Sequence, residues 1–395
     1  MSDFDVVIVG GGPVGIVLGA ALASRWGDGA ARIALIDAKP IEAVMSDPRT
    51  LALADTSRRQ IQPLGFPANA VPLKHIHVSE LGRFGRVWMS AAELQRESLG
   101  WTVRYGELVS ALHKGALTTG LTCWRGVSVV SATESSEGVR MTLSDGREIT
   151  GRLRVDAEGG LFGGTQGRDT VRDYGQWALV ATAHATPLAQ QSAAQARERE
   201  SVAYERFTPE GPLAFLPTAA DGSRYAMVWC GAVDQTEQRK STPVEVLLPQ
   251  LNRLMGNRIP LTGLSDMASF PLGLNVRSQM VSGRTVSVGN AAQILHPVAG
   301  QGLNLGFRDA QALAARLDPV RIEDPVALQE ALAAFEADRA TDRKLLVALT
   351  DTMARGFATA NPVMQTGRQL ALLGLECLPG ARRFFAETLM FGWVR

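Results

Sequence analysis

A strand-like run at residues 5–9, apolar from Val6 onward, gives way to GGGPVG. Apolar positions then recur at helical spacing through Ile16, Leu18, Ala20, Leu22 and Ala23. The pattern predicts a strand, a glycine turn and a helix that Gly27-Asp28-Gly29 closes, followed by a second strand over 32–36. Residues 46–53, SDPRTLAL, predict a further helix entered at Asp47 and Pro48, and 99–109 predict another. From Leu121 the period changes to strands at 127–132 and Val139–Leu143 and a return from Glu148, with Asp145-Gly146 as a hairpin turn. Short strand patterns at 177–185, 202–207, 212–216 and 225–230 predict an antiparallel sheet, followed by a helix over 243–254 and a strand over 270–276. A strand at 285–288 ends at Gly289-Asn290. The loop beyond it carries Pro297, Gly300 and Gly302 and leads into a helix opening near Leu303. Helical periodicity fills the rest, with Pro362 and Pro379 as breaks.

Two glycine-rich turns carry the chemistry. In the first, Gly10 suits the tight turn, Gly12 lets the backbone approach a pyrophosphate, Gly15 lets helix pack on strand, and Pro13 fits the first helical turn. Asp37 ends the second strand about 20 residues further on, where an acid binds a ribose 2′-hydroxyl. Together they predict a dinucleotide site, without separating FAD from NAD. The second stretch, VSVGNAAQILHPVAGQGLNLGFRD, has the layout of a loop presenting N–H groups and a helix N-terminus to an electron-rich group, or of a tight strand-to-helix turn. His75 and His77 share one strand face but lack a third ligand, so they are expected to be hydrogen-bonded side chains and no metal site is expected.

GNAAQ followed by HPVAGQGLNLGFRDA resembles the second flavin fingerprint of the class A aromatic-ring flavoprotein monooxygenases, in the form found in the ubiquinone-biosynthesis hydroxylases of the 2-octaprenyl-6-methoxyphenol hydroxylase type. YERFTPEGPLAFLP and YAMVWC extend the resemblance over nearly the whole chain. It implies an α/β, para-hydroxybenzoate hydroxylase-like fold: a Rossmann-like FAD-binding domain (1–74, 99–165 and 276–320), an inserted antiparallel β-sheet substrate domain (75–98 and 166–275) and a C-terminal helical region (321–395). FAD is then the cofactor, held at the first turn by Gly10, Gly12, Pro13, Val14, Gly15 and Asp37. By the resemblance Gly289 and Asn290 meet the ribityl chain and phosphates, while Pro297, Gly300 and Gly302 wrap the ring. Leu303 and Asn304 present N–H groups near flavin N1 and O2, Arg49 lies against the flavin, Val127 lies near the adenine, and Trp101 and Arg104 lie at the flavin edge. NAD(P)H is a transient co-substrate, and O2, activated as a flavin C4a-hydroperoxide, oxidises a polyprenylphenol lipid. His296 is the candidate proton carrier. Alternatives are a sister hydroxylase attacking another ring position and a flavin-binding scaffold subunit. The scaffold alternative is suggested by Glu158, which replaces the aspartate of the family's A-D-G motif, and by LFGGTQGR, which replaces the serine and arginine that follow it.

Composition narrows this picture. The chain has 395 residues, 46% apolar and 20% charged, enough for two or three sizeable cores. A net charge of +1 speaks against a nucleic-acid partner. Cys123, Cys230 and Cys377 are scattered, as in a reducing compartment. A start that enters a strand at once, and no apolar run of about 18 residues, give the expectation of a cytoplasmic protein. FEADRATDR (335–343) is expected to be a solvated helix face. The tail ARRFFAETLMFGWVR, with Phe384, Phe385, Met390, Phe391 and Trp393, is expected to pack in a core, with peripheral membrane contact or membership of a biosynthetic complex as the alternative.

Overall fold

The computed structural model describes residues 2–83, 85–159, 169–297, 300–357, 369 and 373–391. Pro362, Trp393, Gly160 and the LFGGTQGR stretch lie outside them, as do the side chains of Met390 and Phe391. Phe4–Val9 lies at the centre of a parallel sheet, between Glu148–Asp156 and Ile33–Asp37, with Thr285–Ser287 and Thr122–Arg125 beyond. Val6 to Val9 are buried on both faces, as parallel strands require. On one face they pack against the glycine-turn helix Pro13–Trp26 and the loop helix Gln301–Arg316, through Ile16, Leu18, Phe307 and Leu313. On the other they meet Met141, Leu143 and Ile149 of an antiparallel meander.

Two expected helices are strands. Thr50–Ala54 pairs with Gly100–Arg104, which also pairs with Val71–Leu73, in a small antiparallel sheet. TLALA alternates, and GWTVR is aromatic and β-branched; with a partner strand available, both local patterns favour extended chain. The helix expected over 99–109 therefore starts only at Tyr105, in Tyr105–Leu117.

The large second sheet has the order Gln293–Ile294, Leu261–Val276, Thr170–Ala185, Arg224–Ala232, Gly211–Pro217, Val202–Thr208, His75–Glu80 and Arg86–Ser90. All its pairings are antiparallel except that of Val202–Thr208 with His75–Glu80. One face buries Leu179, Phe215, Tyr225 and Met227 under Leu247 and Leu251 of the helix Val244–Leu254. The opposite face carries Ala178, Val180, Val228 and Cys230.

The FEADRATDR stretch is a solvated face only in part, at Ala337, Asp338 and Thr341. Within the long helix Pro325–Phe357, Phe335 is 0% exposed and Arg339, Asp342 and Arg343 are each under one-tenth exposed. The tail is divided: Phe385 and Ala386 of the helix Pro379–Phe391 pack with Val87 and Met89, whereas Phe384 is exposed. Among the described residues no helix is long and apolar enough to cross a membrane.

Candidate active site

At the first glycine turn, packing fixes two of the glycines and leaves the third open. Gly10 has φ +113°, and a Cβ there would lie 2.6 Å from the Ala157 carbonyl carbon; a Cβ on Gly15 would lie 1.9 Å from Gly10 O. Gly12 meets only Tyr105 Oη at 3.4 Å, so its outer side is free for a ligand. The helix that follows has Pro13 in its first turn and no side-chain cap, which leaves its first N–H groups open to an anion. Asp37 stands directly beside this turn: Oδ2 accepts from Gly11 N (2.5 Å) and Oδ1 from Lys39 N (2.7 Å). Val127 N donates to Asp37 O at 3.1 Å. Arg125, absent from the sequence reading, is buried here and donates from Nη2 to Gly11 O at 2.6 Å. Its Nε and Nη1 make no hydrogen bond among the described residues, Nη1 standing 3.9 Å from Asp37 Oδ1 in an ion pair. Its position beside the glycines depends on the pairing of Thr122–Arg125 with Ile33–Asp37, which no local motif signals.

Val14 joins the two turns. A Cβ on Gly289 would lie 3.2 Å from Val14 Cγ2 and one on Gly306 2.6 Å from it, so both glycines are needed for this contact. Exposed Asn290 has its amide 3.9 Å from the Cβ positions of both Gly159 and Gly302, which brings the ends of two parallel strands and the loop helix together. Pro297 is exposed, and its carbonyl accepts from Gly300 N (2.9 Å). Gly300 is left-handed (φ 60°) and starts the helix without a side-chain cap, and Leu303 lies in that first turn. Asn304 spends its side chain on structure: Oδ1 accepts from Ala54 N (2.9 Å), and Nδ2 donates to Gly300 O (3.1 Å) and Ala52 O (3.4 Å). It thereby fixes the small sheet to the loop.

The loop is also held from behind by ions. Asp309, 0% exposed, accepts from Gly289 N (3.2 Å), Gln293 Nε2 (2.8 Å) and Arg339 Nε (2.8 Å). Arg343 Nε donates to Gln293 Oε1 (2.8 Å), and Asp342 pairs with both Arg308 and Arg339.

Other predicted residues lie around these turns. Arg49 stacks over Tyr105 at 4.6 Å and pairs with Asp47, whose hydrogen bond raises the guanidinium pKa. Trp101 sits under Arg58 at 4.8 Å, and Arg104 is exposed. His296 is buried edge-on against Tyr174, and burial lowers its pKa to about 4, so the ring is neutral at neutral pH. His75 stacks on Trp88, and His77 lies against Trp88 and Tyr204. Among the described residues no three metal-ligating side chains cluster. A cleft separates the small sheet from the large one, lined by Thr50, Thr102, Arg104, Thr182, Arg224 and Ala226 among others.

The open Gly12 cradle, the uncapped helix starts, Asp37 and the Arg125 Nε and Nη1, which make no hydrogen bond among the described residues, fit an FAD diphosphate and ribose. The FAD binding domain family model matches residues 3–348. The ubiquinone hydroxylase UbiL of Rhodospirillum rubrum is 30% identical over 98% of this chain and 89% of its own length. The 3-demethoxyubiquinol 3-hydroxylase of Escherichia coli is 25% identical over 94% of each chain. Among solved structures, PqsL of Pseudomonas aeruginosa in complex with 2-aminobenzoylacetate superposes with TM-score 0.73 at 18% identity, covering 94% of this chain and 99% of that one, and supports the fold. The chain belongs to the FAD binding domain family, as an FAD-dependent monooxygenase akin to the ubiquinone-biosynthesis hydroxylases.

Proposed function

We propose that the protein hydroxylates the aromatic ring of a polyprenylated methoxyphenol in ubiquinone biosynthesis, with NAD(P)H and O2 as co-substrates. The observation that carries this reading is the joining of both glycine turns through Val14, beside a cleft whose far wall is the large sheet. The names of the relatives supply the substrate class.

When bound, FAD supplies the oxygen-activating redox chemistry. The chain supplies position and environment. Gly12 and the helix after it would hold the pyrophosphate, and Asp37 the ribose. The N–H of Leu303, in the first turn of the loop helix, would face the flavin ring as a hydrogen-bond donor. Asn304 keeps the small sheet against the loop so that the cleft stays narrow. Ala178, Val180 and Val228 give the large sheet an apolar surface that excludes water and suits a prenylated ring. Peripheral contact with a membrane, the source of such a lipid, belongs to this reading.

The test is to feed the purified flavoprotein prenylphenols that differ in ring substitution and tail length and to analyse the products by mass spectrometry. NAD(P)H-dependent gain of one oxygen on a tailed methoxyphenol is expected, with turnover falling as the tail shortens. Equal turnover of the untailed compound would assign a water-soluble aromatic substrate instead.

A further inference from the structure

We propose that Glu205 is the catalytic base that takes the hydroxyl proton of the phenol, an assignment that rests on the hydroxylase reading above. Strand register places Glu205 opposite Val78 on one side and Ala214 on the other; Ala214 pairs with Val228, and Val228 with Val180. These residues share the face opposite the one buried under Val244–Leu254. The next row on that face runs Ile76, Ala203, Leu216, Ala226 and Thr182, and Ala226 and Thr182 line the cleft. Glu205 therefore belongs to the substrate-facing wall, two strands and on the order of 10 Å from Ala226. An aromatic head group with its hydroxyl spans that distance.

A carboxylate in the middle of an apolar face is costly unless it is used. The half-buried Glu205 side chain makes no hydrogen bond or ion pair among the described residues. The titratable groups nearest on this face are Cys230, whose thiol burial pushes up to about 12, and Glu80, opposite Phe207 in the adjoining row. The C-terminal segment packed beside Val78 brings the apolar Leu375 and Phe385. No cation on this face is placed to hold the Glu205 carboxyl low, and burial raises its pKa to about 7. A phenol titrates near 10 and an ordinary glutamic acid near 4.3, so the mismatch for proton transfer falls from roughly six units to roughly three. In the step itself the phenol O–H bond breaks and the proton binds a Glu205 carboxylate oxygen. The bonding pair stays on the phenol oxygen, and no redox partner takes part. The phenolate pushes electron density into the ring carbons that an electrophilic oxygen attacks.

The experiment compares a monoprenylated phenol with its methyl ether, each titrated into the FAD-loaded protein by flavin fluorescence. In wild type above about pH 8 the phenol should bind roughly tenfold or more tightly than the ether, because a charged acceptor is lost with the hydroxyl. That preference should fade below pH 7, vanish in Glu205→Met and survive in part in Glu205→Asp. Hydroxylation should rise with pH through an apparent pKa near 7 in wild type, and Glu205→Gln should lower its rate by about a hundredfold or more. A Glu205→Met protein with native flavin content and an undiminished preference for the phenol would overturn the assignment. So would an unaltered rate and pH profile in Glu205→Gln, which also serves if the Met variant does not fold. Failure of wild type to oxygenate any prenylphenol is a different result: it removes the hydroxylase reading and this base with it.

Discussion

Gly12 and Gly15 look equivalent in the sequence but do different work. Gly12 has φ −75°, which any residue adopts, and open space beyond it; Gly15 touches the Gly10 carbonyl. Gly12→Val is therefore expected to fold with a melting temperature near that of flavin-free wild type but to purify colourless. Gly15→Val should lose on the order of 3 kcal/mol in urea unfolding, because backbone must move. A yellow Gly12→Val protein would move the pyrophosphate elsewhere. The buried histidines give a second residue-scale prediction. His296 and His77 both have folded pKa values of about 4 against 6.5, mainly through burial. Between those values the unfolded chain binds more protons than the folded one. Their contribution is therefore fully present above pH 6.5 and is lost as pH falls towards 4, at up to about 3 kcal/mol each. Urea midpoints of the flavin-free protein should fall from pH 7 to pH 4.5, and His296→Asn should flatten that slope. Glycines of this kind were legible in the sequence because their reasons are local. Arg125 was not, because only a parallel pairing brings it to Gly11.

At the scale of the element, the long helix Pro325–Phe357 shows what pattern reading misses. Arg339, Asp342 and Arg343 have the composition of a solvated face, and charged residues are mostly exposed, so the sequence favours solvent. Burial becomes tolerable only because Asp309, Arg308 and Gln293 of the flavin loop and its helix meet them, and that complementarity exists only in the fold. Removing one partner leaves a buried charge uncompensated. Arg339→Met should thus cost about 3–5 kcal/mol. The double change Arg339→Met with Asp309→Leu should cost less than the two single changes added, as a double-mutant cycle in urea would show. Because Asp309 also holds Gly289 N, Asp309→Leu should weaken FAD binding although it lies behind the loop. Additive costs would mean that the ion pair is not what holds the helix. The two misread strands have the related cause that TLALA and GWTVR are too short to fix their own conformation; their mutual pairing does so.

At the scale of the whole molecule, the strand, glycine turn and helix unit formed by Phe4–Val9 and Pro13–Trp26 fits an FAD. The sequence made this plain, whereas the eight-stranded order of the large sheet, with 75–90 inserted beside 202–208, depends on pairings far apart in the chain. The sequence carries no second glycine fingerprint of this kind, and on the hydroxylase reading proposed above the nicotinamide nucleotide binds transiently. Glu158 stands where this matters. It follows the strand Glu148–Asp156, its N lies 2.6 Å from the Cβ position of Gly10, and Gly159 beside it reaches Asn290. Its carboxylate is one methylene longer than the aspartate of the resembling motif, so it can accept hydrogen bonds from a bound nucleotide only from further back. FAD is therefore expected to bind normally. Anaerobic bleaching by NAD(P)H should be slow alone and faster once a phenol fills the cleft. Glu158→Ala should keep its flavin and lose most of that acceleration. Stopped-flow absorbance with and without a prenylphenol measures both. Full flavin loading with no bleaching in any wild-type condition would assign a different electron donor or a flavin-binding scaffold.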